Sequence, residues 1–443
     1  MSMLPLVAST AASIILAGSV FAASKDELLM NQVKAVASTL CDWAGLSRPQ
    51  ENDAIGSRPG FGEERAVEIV QPGGTAQIRT LKIPEGATTT GYNVARRTKH
   101  LRGSKRDDLV EVGVSHFAIN FADVCIRLGL YESAIRNVGY PIVPGFDIAG
   151  VVTKVPDNCD LKVGDRVFGA TLFGGYSTKV SVPKNQLREV PQYVTSEQAA
   201  ALPAVSLTAL HALTIAGFPA LSKCSIPLGK NKSVLVHSAS GGVGGMLVQF
   251  AKLCGAENVV GVVGRKNKTE YAISLGCDAV VYKEGKSKGE WWKEVEEANG
   301  GVGYKAIFDA NGVETLQASY EHLDLCGRLV VYGFHTNLDN GTSLSPLSWI
   351  RMIIGFLKMP RFDAMQMTLD SRAVLGFNLS FFENETELIG DYFNTITTWL
   401  SAKKFQLPKV NLYEMDEVAQ THELIQSGKS IGKIVVRTNK NEL

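Results

Sequence analysis

From Ser196 onward the apolar residues fall into two alternating rhythms. Short, solidly apolar runs rich in valine alternate with longer segments whose apolar positions recur at helical spacing. The pattern predicts an apolar helix at Ala199–Leu213, a strand at Ser233–His237 and a helix at Gly242–Leu253. A strand at Val259–Val263, a helix at Lys268–Leu275 and a strand at Ala279–Tyr282 follow. Later strands fit Ala306–Asp309, Arg328–Tyr332 and Val374–Leu379, with a helix over Glu385–Ala402. The tail gives one more helix, Glu414–Ser427, and a strand, Lys433–Val436. Strands that are apolar on both faces and alternate with helices imply βαβ crossovers and a doubly wound parallel sheet. An apolar stretch, Leu344–Met367, interrupts this rhythm.

The earlier part of the chain has a different texture. Strand patterns at Ala66–Val70 and Thr75–Ile83 flank the turn Gln71-Pro72-Gly73-Gly74. Further short β-type runs, Leu109–Ala118, Ala149–Val155 and Arg166–Gly169, are separated by Gly and Pro. That spacing predicts a compact, mainly antiparallel lobe. Between them, Gly86–Asp108 reads as a polar surface insertion, and Lys25–Glu64 as a linker.

Leu4–Ala23 is uncharged and about twenty residues long, near the length that spans a bilayer. It ends in small residues, as at a signal cleavage site, but no Lys or Arg precedes it. Both a membrane anchor at residues 4–23 holding a cytosolic catalytic body and a cleaved organellar presequence fit. Asn-x-Ser/Thr sequons start at Asn231, Asn267, Asn340, Asn378 and Asn384. Asn267 lies where a coenzyme is placed below, so a glycan there would block the site, which argues against a body in the ER lumen.

Composition removes several function classes. Formal net charge is +1, from 45 basic and 44 acidic residues, so no global field attracts nucleic acid. The basic run within Gly86–Asp108 lacks the interleaved aromatics of a nucleic-acid surface. The seven cysteines are scattered, without the paired spacing of a zinc or disulfide framework. No other His/Cys/Asp cluster has metal spacing, and no Gly-x-Ser-x-Gly elbow offers a hydrolase nucleophile.

The sharpest motif is Val234-Leu235-Val236-His237-Ser238-Ala239-Ser240-Gly241-Gly242-Val243-Gly244. A buried-type strand runs into a glycine turn that opens a helix. Such a turn lets a diphosphate approach the backbone, and the helix start offers free N–H groups and partial positive charge. Ser240, Gly241, Gly242, Val243 and Gly244 are therefore coenzyme-binding candidates. The second strand ends in Gly264-Arg265-Lys266-Asn267-Lys268, with no carboxylate before Glu270. NAD sites usually place an acidic residue there for the ribose hydroxyls. Cations such as Arg265 and Lys268 suit a 2′-phosphate instead, so the expected coenzyme is NADPH.

Asn120-Phe121-Ala122-Asp123, Gly129-Leu130-Tyr131, Pro144-Gly145-Phe146-Asp147-Ile148-Ala149-Gly150-Val151-Val152, Gly164-Asp165-Arg166-Val167 and the glycine loop occur in that order. Together they resemble the zeta-crystallin-type quinone oxidoreductases of the medium-chain dehydrogenase/reductase superfamily. Ser371-Arg372-Ala373-Val374-Leu375-Gly376-Phe377 and the apolar insertion before it are most similar to the vesicle amine transport protein branch. The likeness covers Arg65 to Val436.

It implies an α/β fold of two lobes: a GroES-like β lobe (65–203, completed by 404–437) and a Rossmann lobe (204–403). It also implies a homodimer, with NADPH in the cleft. By motif position, Gly264, Lys268 and Tyr282 would hold the 2′-phosphate. Thr208 would lie near the nicotinamide, and Gly333, followed by Phe334, would approach it by backbone.

Zinc-dependent relatives carry a Cys where this chain has Asn120, and Gly-His-Glu where it has Gly145-Phe146-Asp147. The resemblance therefore implies zinc-independent hydride transfer to a small, apolar quinone or α,β-unsaturated carbonyl compound. Such acceptors delocalise charge as it forms and need no Lewis acid. Asn120 and Asp123 are three residues apart and would share a helical face. Both line the cleft in similar proteins: Asn120 would donate to a carbonyl becoming enolate-like, and Asp123 would orient it, unless both merely cap local backbone. Tyr131 stands where related enoyl-thioester reductases carry an acid, or else walls the pocket. His237, His211 and His422 read as structural, packing or surface residues. Two other activities remain open at this point: an enoyl-thioester reductase, and a membrane-attached NADPH-binding protein with little turnover, its Ile350–Met367 docking on lipid unless that apolar run is buried core or a dimer surface.

Overall fold

The structure is a computed structural model that describes residues 64–83, 108–219, 232–335, 354–355, 357–382 and 385–438. Leu4–Ala23, the linker, Gly86–Asp107 and most of the apolar interruption lie outside the described residues. Among the described residues no helix is long and apolar enough to cross a membrane.

Among the described residues fifteen strands occur: β1 (Arg65–Ile69), β2 (Ile78–Lys82), β3 (Leu109–Ile119), β4 (Asp147–Lys154), β5 (Arg166–Ala170), β6 (Lys179–Pro183), β7 (Leu187–Glu189), β8 (Ser233–His237), β9 (Asn258–Val263), β10 (Ala279–Tyr282), β11 (Tyr304–Asp309), β12 (Leu323–Val331), β13 (Ala373–Gly376), β14 (Val410–Glu414) and β15 (Lys433–Arg437). They form three sheets. β1 and β2 pair as a hairpin; β14-β15-β3-β4-β5-β7 form a seven-stranded sheet with β6 also on β3; β10-β9-β8-β11-β12-β13 form a six-stranded sheet. All pairs in the six-stranded sheet are parallel. In the seven-stranded sheet only β14–β15 is parallel. This is the expected pairing of a GroES-like lobe with a Rossmann-like lobe.

Every residue of β8 is buried, because helices cover both faces of a parallel sheet. Helices Pro203–Ile215, Gly242–Leu253 and Thr386–Ser401 pack with Val234 and Val236 in one core. Leu235, Trp291, Trp292 and Tyr304 fill the opposite face. Burying each such Val or Leu contributes roughly 1.5–3 kcal/mol. The tail returns to the first lobe: β15 pairs antiparallel with β3, matching Ile434 to Ile119. This pairing sets a residue that begins β15 beside the residue that follows β3.

Several boundaries differ from the sequence pattern. The apolar segment at Ala199–Leu213 is two helices, Ser196–Ala200 and Pro203–Ile215. Pro203 sits at the start of the second, where its missing N–H costs nothing. The tail helix is shorter, Val418–Gln426, because Val410–Glu414 forms β14. The segment Val374–Leu379 is a strand only to Gly376; Asn378 then caps a short 3-10 turn.

Candidate active site

The glycine loop follows β8. Ser238 takes a positive φ of 55°, which begins the turn. A Cβ on Gly244 would stand 2.2 Å from the Ser238 carbonyl oxygen, so no side chain fits. A Cβ on Gly242 would meet Val205 Cγ1 at 2.8 Å. Gly241 is the N-cap of the helix Gly242–Leu253, and no side chain caps it. Its first N–H groups are therefore left for a group outside the helix, and the dipole favours an anion there. Ser240 and Val243 flank these glycines.

At the end of β9, a Cβ on Gly264 would meet nothing within 4 Å. Lys268 is only 8% exposed. Its ammonium donates to the carbonyls of Gly428 at 2.9 Å and Ser430 at 2.7 Å. Burial and the Arg265 charge hold its pKa below the usual lysine range. Lys286 stands 3.6 Å from the Tyr282 ring centroid, and Lys266 stands 6.0 Å from it. Arg265, Lys266, Lys268 and Lys286 thus gather around one end of the cleft.

At the other end, Tyr332 and His335 donate backbone N–H to Asp309 and Ala310 carbonyls. A Cβ on Gly333 would lie 3.1 Å from the Ala310 carbonyl oxygen. Phe334 is 47% exposed. The His335 ring meets the Phe121 ring at a tilt of 50°, centroids 4.1 Å apart, across the two lobes. Burial pushes His335 down to about 4, so its imidazole stays neutral. Thr208 is half-buried, and its hydroxyl donates to Ala204 O at 2.7 Å.

Asn120 caps the helix Phe121–Arg127, and its own N–H donates to Asp123 Oδ2 at 2.8 Å. Asn120 Nδ2 donates to Asp147 Oδ2 at 2.8 Å, while Lys433 Nζ donates to Asn120 Oδ1. Lys433 also pairs with Asp147 Oδ2 at 3.0 Å, with both side chains buried. Asp147 Oδ1 accepts from Ala204 N at 2.5 Å, so it also caps Pro203–Ile215. Lys433 Cδ would be 3.6 Å from a Cβ on Gly242, and Gly432 N–H reaches Ser240 O. The cluster therefore abuts the glycine loop.

For two candidates the sequence left more than one role open. Asp123 does not line the cleft; it is fully buried. It accepts from Asn120 N, from Gly145 N at 3.2 Å and from Tyr176 OH at 3.0 Å. Burial pushes its pKa up to about 7 against those donors and the nearby Lys433 charge. It holds the Asn120 turn from beneath. Tyr131 is not aimed at the Asn120 cluster: its hydroxyl donates to Asn378 Oδ1 at 3.0 Å. Phe146 and Phe173 meet its ring edge-on, and burial raises its pKa to about 12. His422, expected as a packing or surface residue, packs: it is fully buried against Tyr176, and burial lowers its pKa to about 3. His211 and His237 are buried too. His237 bonds Ser319, which donates to Asp309, beneath Trp291 and Trp292.

The sequence reading missed Lys433 and Asp147. Lys433 is 313 residues from Asn120, and only strand pairing brings them together. A single hint was available: a lysine opening the apolar run Ile434-Val435-Val436.

Two family models match the chain: an alcohol dehydrogenase GroES-like domain over residues 106–192 and a zinc-binding dehydrogenase domain over 242–390. The chain is 30% identical to the mouse synaptic vesicle membrane protein VAT-1 homolog over 323 residues, 72% of this chain and 73% of that protein. The fold is similar to an Escherichia coli quinone oxidoreductase complexed with NADPH: TM-score 0.65, 21% identity, 84% of this chain and 100% of that one. It is similar also to the CurK enoyl reductase: TM-score 0.65, 21% identity, 85% of this chain and 99% of that one. A GroES-like lobe joined to a Rossmann-like lobe, with a glycine loop facing the junction, defines the class of medium-chain dehydrogenases and reductases. The chain belongs to that superfamily, in its zeta-crystallin and VAT-1 branch.

Proposed function

We propose that this protein is an NADPH-dependent, zinc-independent reductase of quinones or α,β-unsaturated carbonyl compounds. One observation carries the reading: the half-buried Asn120 amide is fixed by charged partners beside an uncapped helix start and its glycine loop. The loop fits a diphosphate, because a Cβ at Gly242 or Gly244 would occupy the space against which the backbone turns. The NADPH complex of the E. coli relative supports the choice of coenzyme, as does the cationic end of the cleft.

Gly241 to Gly244 would hold the diphosphate, and Ser240 and Val243 shape that turn. Arg265, Lys268 and Tyr282 would hold the 2′-phosphate, with Gly264 leaving room for the ribose. Gly333, Phe334 and Thr208 would bound the nicotinamide. The bound coenzyme supplies a hydride. As the acceptor takes it, electrons move to the carbonyl oxygen, the Asn120 amide donates to that growing negative charge, and the resulting anion takes its proton from water. Removing one such donor typically costs about 100- to 1000-fold in rate. The phenol of Tyr131 stays protonated at neutral pH, but its proton is engaged with Asn378. We therefore assign Tyr131 to the pocket wall rather than to proton transfer.

The reading is tested by following NADPH absorbance with the full chain and three sets of acceptors. Quinones and alkenals are expected to be turned over and saturated primary alcohols are not. Turnover of acyl thioesters alone would replace this reading with an enoyl-thioester reductase. Saturable NADPH binding without turnover of any acceptor would leave a binding protein.

A further inference from the structure

Lys433 and Asp147 form a buried ion pair with a consequence for Asn120. A primary amide has one donor end and one acceptor end, and the two are nearly the same size. Left alone, such a group turns over easily. Here one face of Asn120 meets a carboxylate, which only accepts, and the other meets an ammonium, which only donates. A flipped amide would set its oxygen against Asp147 and its NH2 against Lys433. Both contacts would be repulsive in a buried site, where charges are poorly screened. One orientation therefore survives. In it, Nδ2 spends one N–H on Asp147 and keeps its second.

The pair is itself held rigidly. Asp147 opens β4 opposite Ala118 of β3, and its second oxygen is fixed by Ala204 N. Lys433 opens β15 next to the Ile434–Ile119 pairing, and its residue is 3% exposed. Three strand ends thus converge on a single amide. Asp123 sets the backbone of Asn120 from below through its carboxylate, and its own backbone N–H meets the acceptor end of the amide in the capping box, which favours the same orientation.

We propose that Lys433 is a positioning residue of the reductase: with Asp147 it locks the Asn120 side chain so that its free N–H faces the oxygen of the acceptor. The inference rests on the reading of Asn120 given above. Lys433 neither carries substrate nor exchanges a proton with it. Its work is to remove the amide orientation that would present a carbonyl, and hence repulsion, to a developing oxyanion.

The test compares K433M, N120A and the double variant, in full-length protein saturated with coenzyme. K433M is expected to lower kcat ~100-fold or more, within the range for losing one oxyanion donor. NADPH affinity should fall far less than kcat, since the backbone of the glycine loop is kept although Lys433 lies beside it. Adding N120A to K433M should cause little further loss, because both changes remove the same donor; non-additivity of this kind marks residues acting as a unit. K433R, which keeps a donor and a charge, should recover most of the rate. A second readout needs no turnover: 4-nitrophenolate, an oxyanion seen by its visible absorption, should bind the NADP-loaded wild type and lose affinity in both K433M and N120A. If K433M fails to fold because Asp147 is left as an unpaired buried charge, the neutral pair D147N/K433M takes its place in the cycle. An amide at 147 can meet Asn120 in either sense, so orientation is lost there as well.

The proposal is overturned if K433M keeps kcat within about twofold, or if its loss and that of N120A simply multiply. A wild type without turnover of any acceptor would sink the reductase reading instead, and the 4-nitrophenolate arm would still decide the role of Lys433.

Discussion

Replacing Gly244 with alanine is expected to abolish NADPH binding, with affinity falling by more than ~100-fold, about 2.7 kcal/mol. The reason is backbone against backbone. The added Cβ would lie 2.2 Å from the Ser238 carbonyl oxygen, 2.8 Å from its carbon and 3.0 Å from Ala239 Cα. No rotamer relieves that contact, so the turn between β8 and the helix must open. Opening it moves the N–H groups on which the diphosphate would rest. Overpacking of this kind also destabilises a fold by roughly 1–3 kcal/mol, so the melting temperature should fall as well. Two neighbours calibrate the effect. Gly241→Ala meets only the Ser238 oxygen, at 3.2 Å, and Gly264→Ala meets nothing within 4 Å. Thermal melts should rank the three Gly244 worst, Gly241 intermediate and Gly264 near wild type. Fluorescence titration with NADPH should place Gly244→Ala last. Wild-type coenzyme affinity in that variant would remove the glycine loop from the site.

The second large effect belongs to Lys268. Lys268→Glu is expected to weaken NADPH binding by ~100-fold while NADH affinity changes little, so that the preference reverses. A charge-assisted contact contributes about 1.5–3 kcal/mol, and the substituted carboxylate adds repulsion against the phosphate. In this structure the lysine ammonium donates to the carbonyls of Gly428 and Ser430. Binding a 2′-phosphate therefore means sharing or exchanging those acceptors. Lys268→Met separates the two roles, since it loses the carbonyl contacts and the charge but adds no repulsion. It should fall between wild type and Lys268→Glu for NADPH. Unchanged NADPH preference in Lys268→Glu would overturn the 2′-phosphate assignment. The paired titrations with NADPH and NADH measure both variants.

How much of this was legible beforehand depends on how local each signal is. The strand Ser233–His237, the glycine turn and the helix Gly242–Leu253 were readable because all the needed residues are adjacent. The βαβ rhythm was readable for the same reason. The strand Val410–Glu414 was missed because it is a half-exposed edge, paired only with β15, and its residues do not form a clean apolar run. The helix Lys288–Ala298 was overlooked although Ser287 and Glu290 form a capping box; that spacing is a start signal in its own right. Asn120 and Asp123 were rightly seen as a pair, but their spacing fits a helix cap as well as a shared catalytic face. Only burial decides, and Asp123 is fully buried. Tyr131 raised the same difficulty: nothing near it in sequence announces Asn378. The partners of Asn120 were beyond reach for a stronger reason. Asp147 and Lys433 arrive through β-pairing with β3, a contact that no periodicity encodes.

The central claim is that the amides opening the helix Gly242–Leu253 receive the diphosphate of a phosphorylated dinucleotide. The most direct measurement is titration of the full chain with NADPH and with NADH, followed by protein fluorescence. Saturable binding of NADPH, at least ~10-fold tighter than NADH (about 1.4 kcal/mol), is the predicted result. No saturable binding of either dinucleotide at millimolar concentration would contradict it.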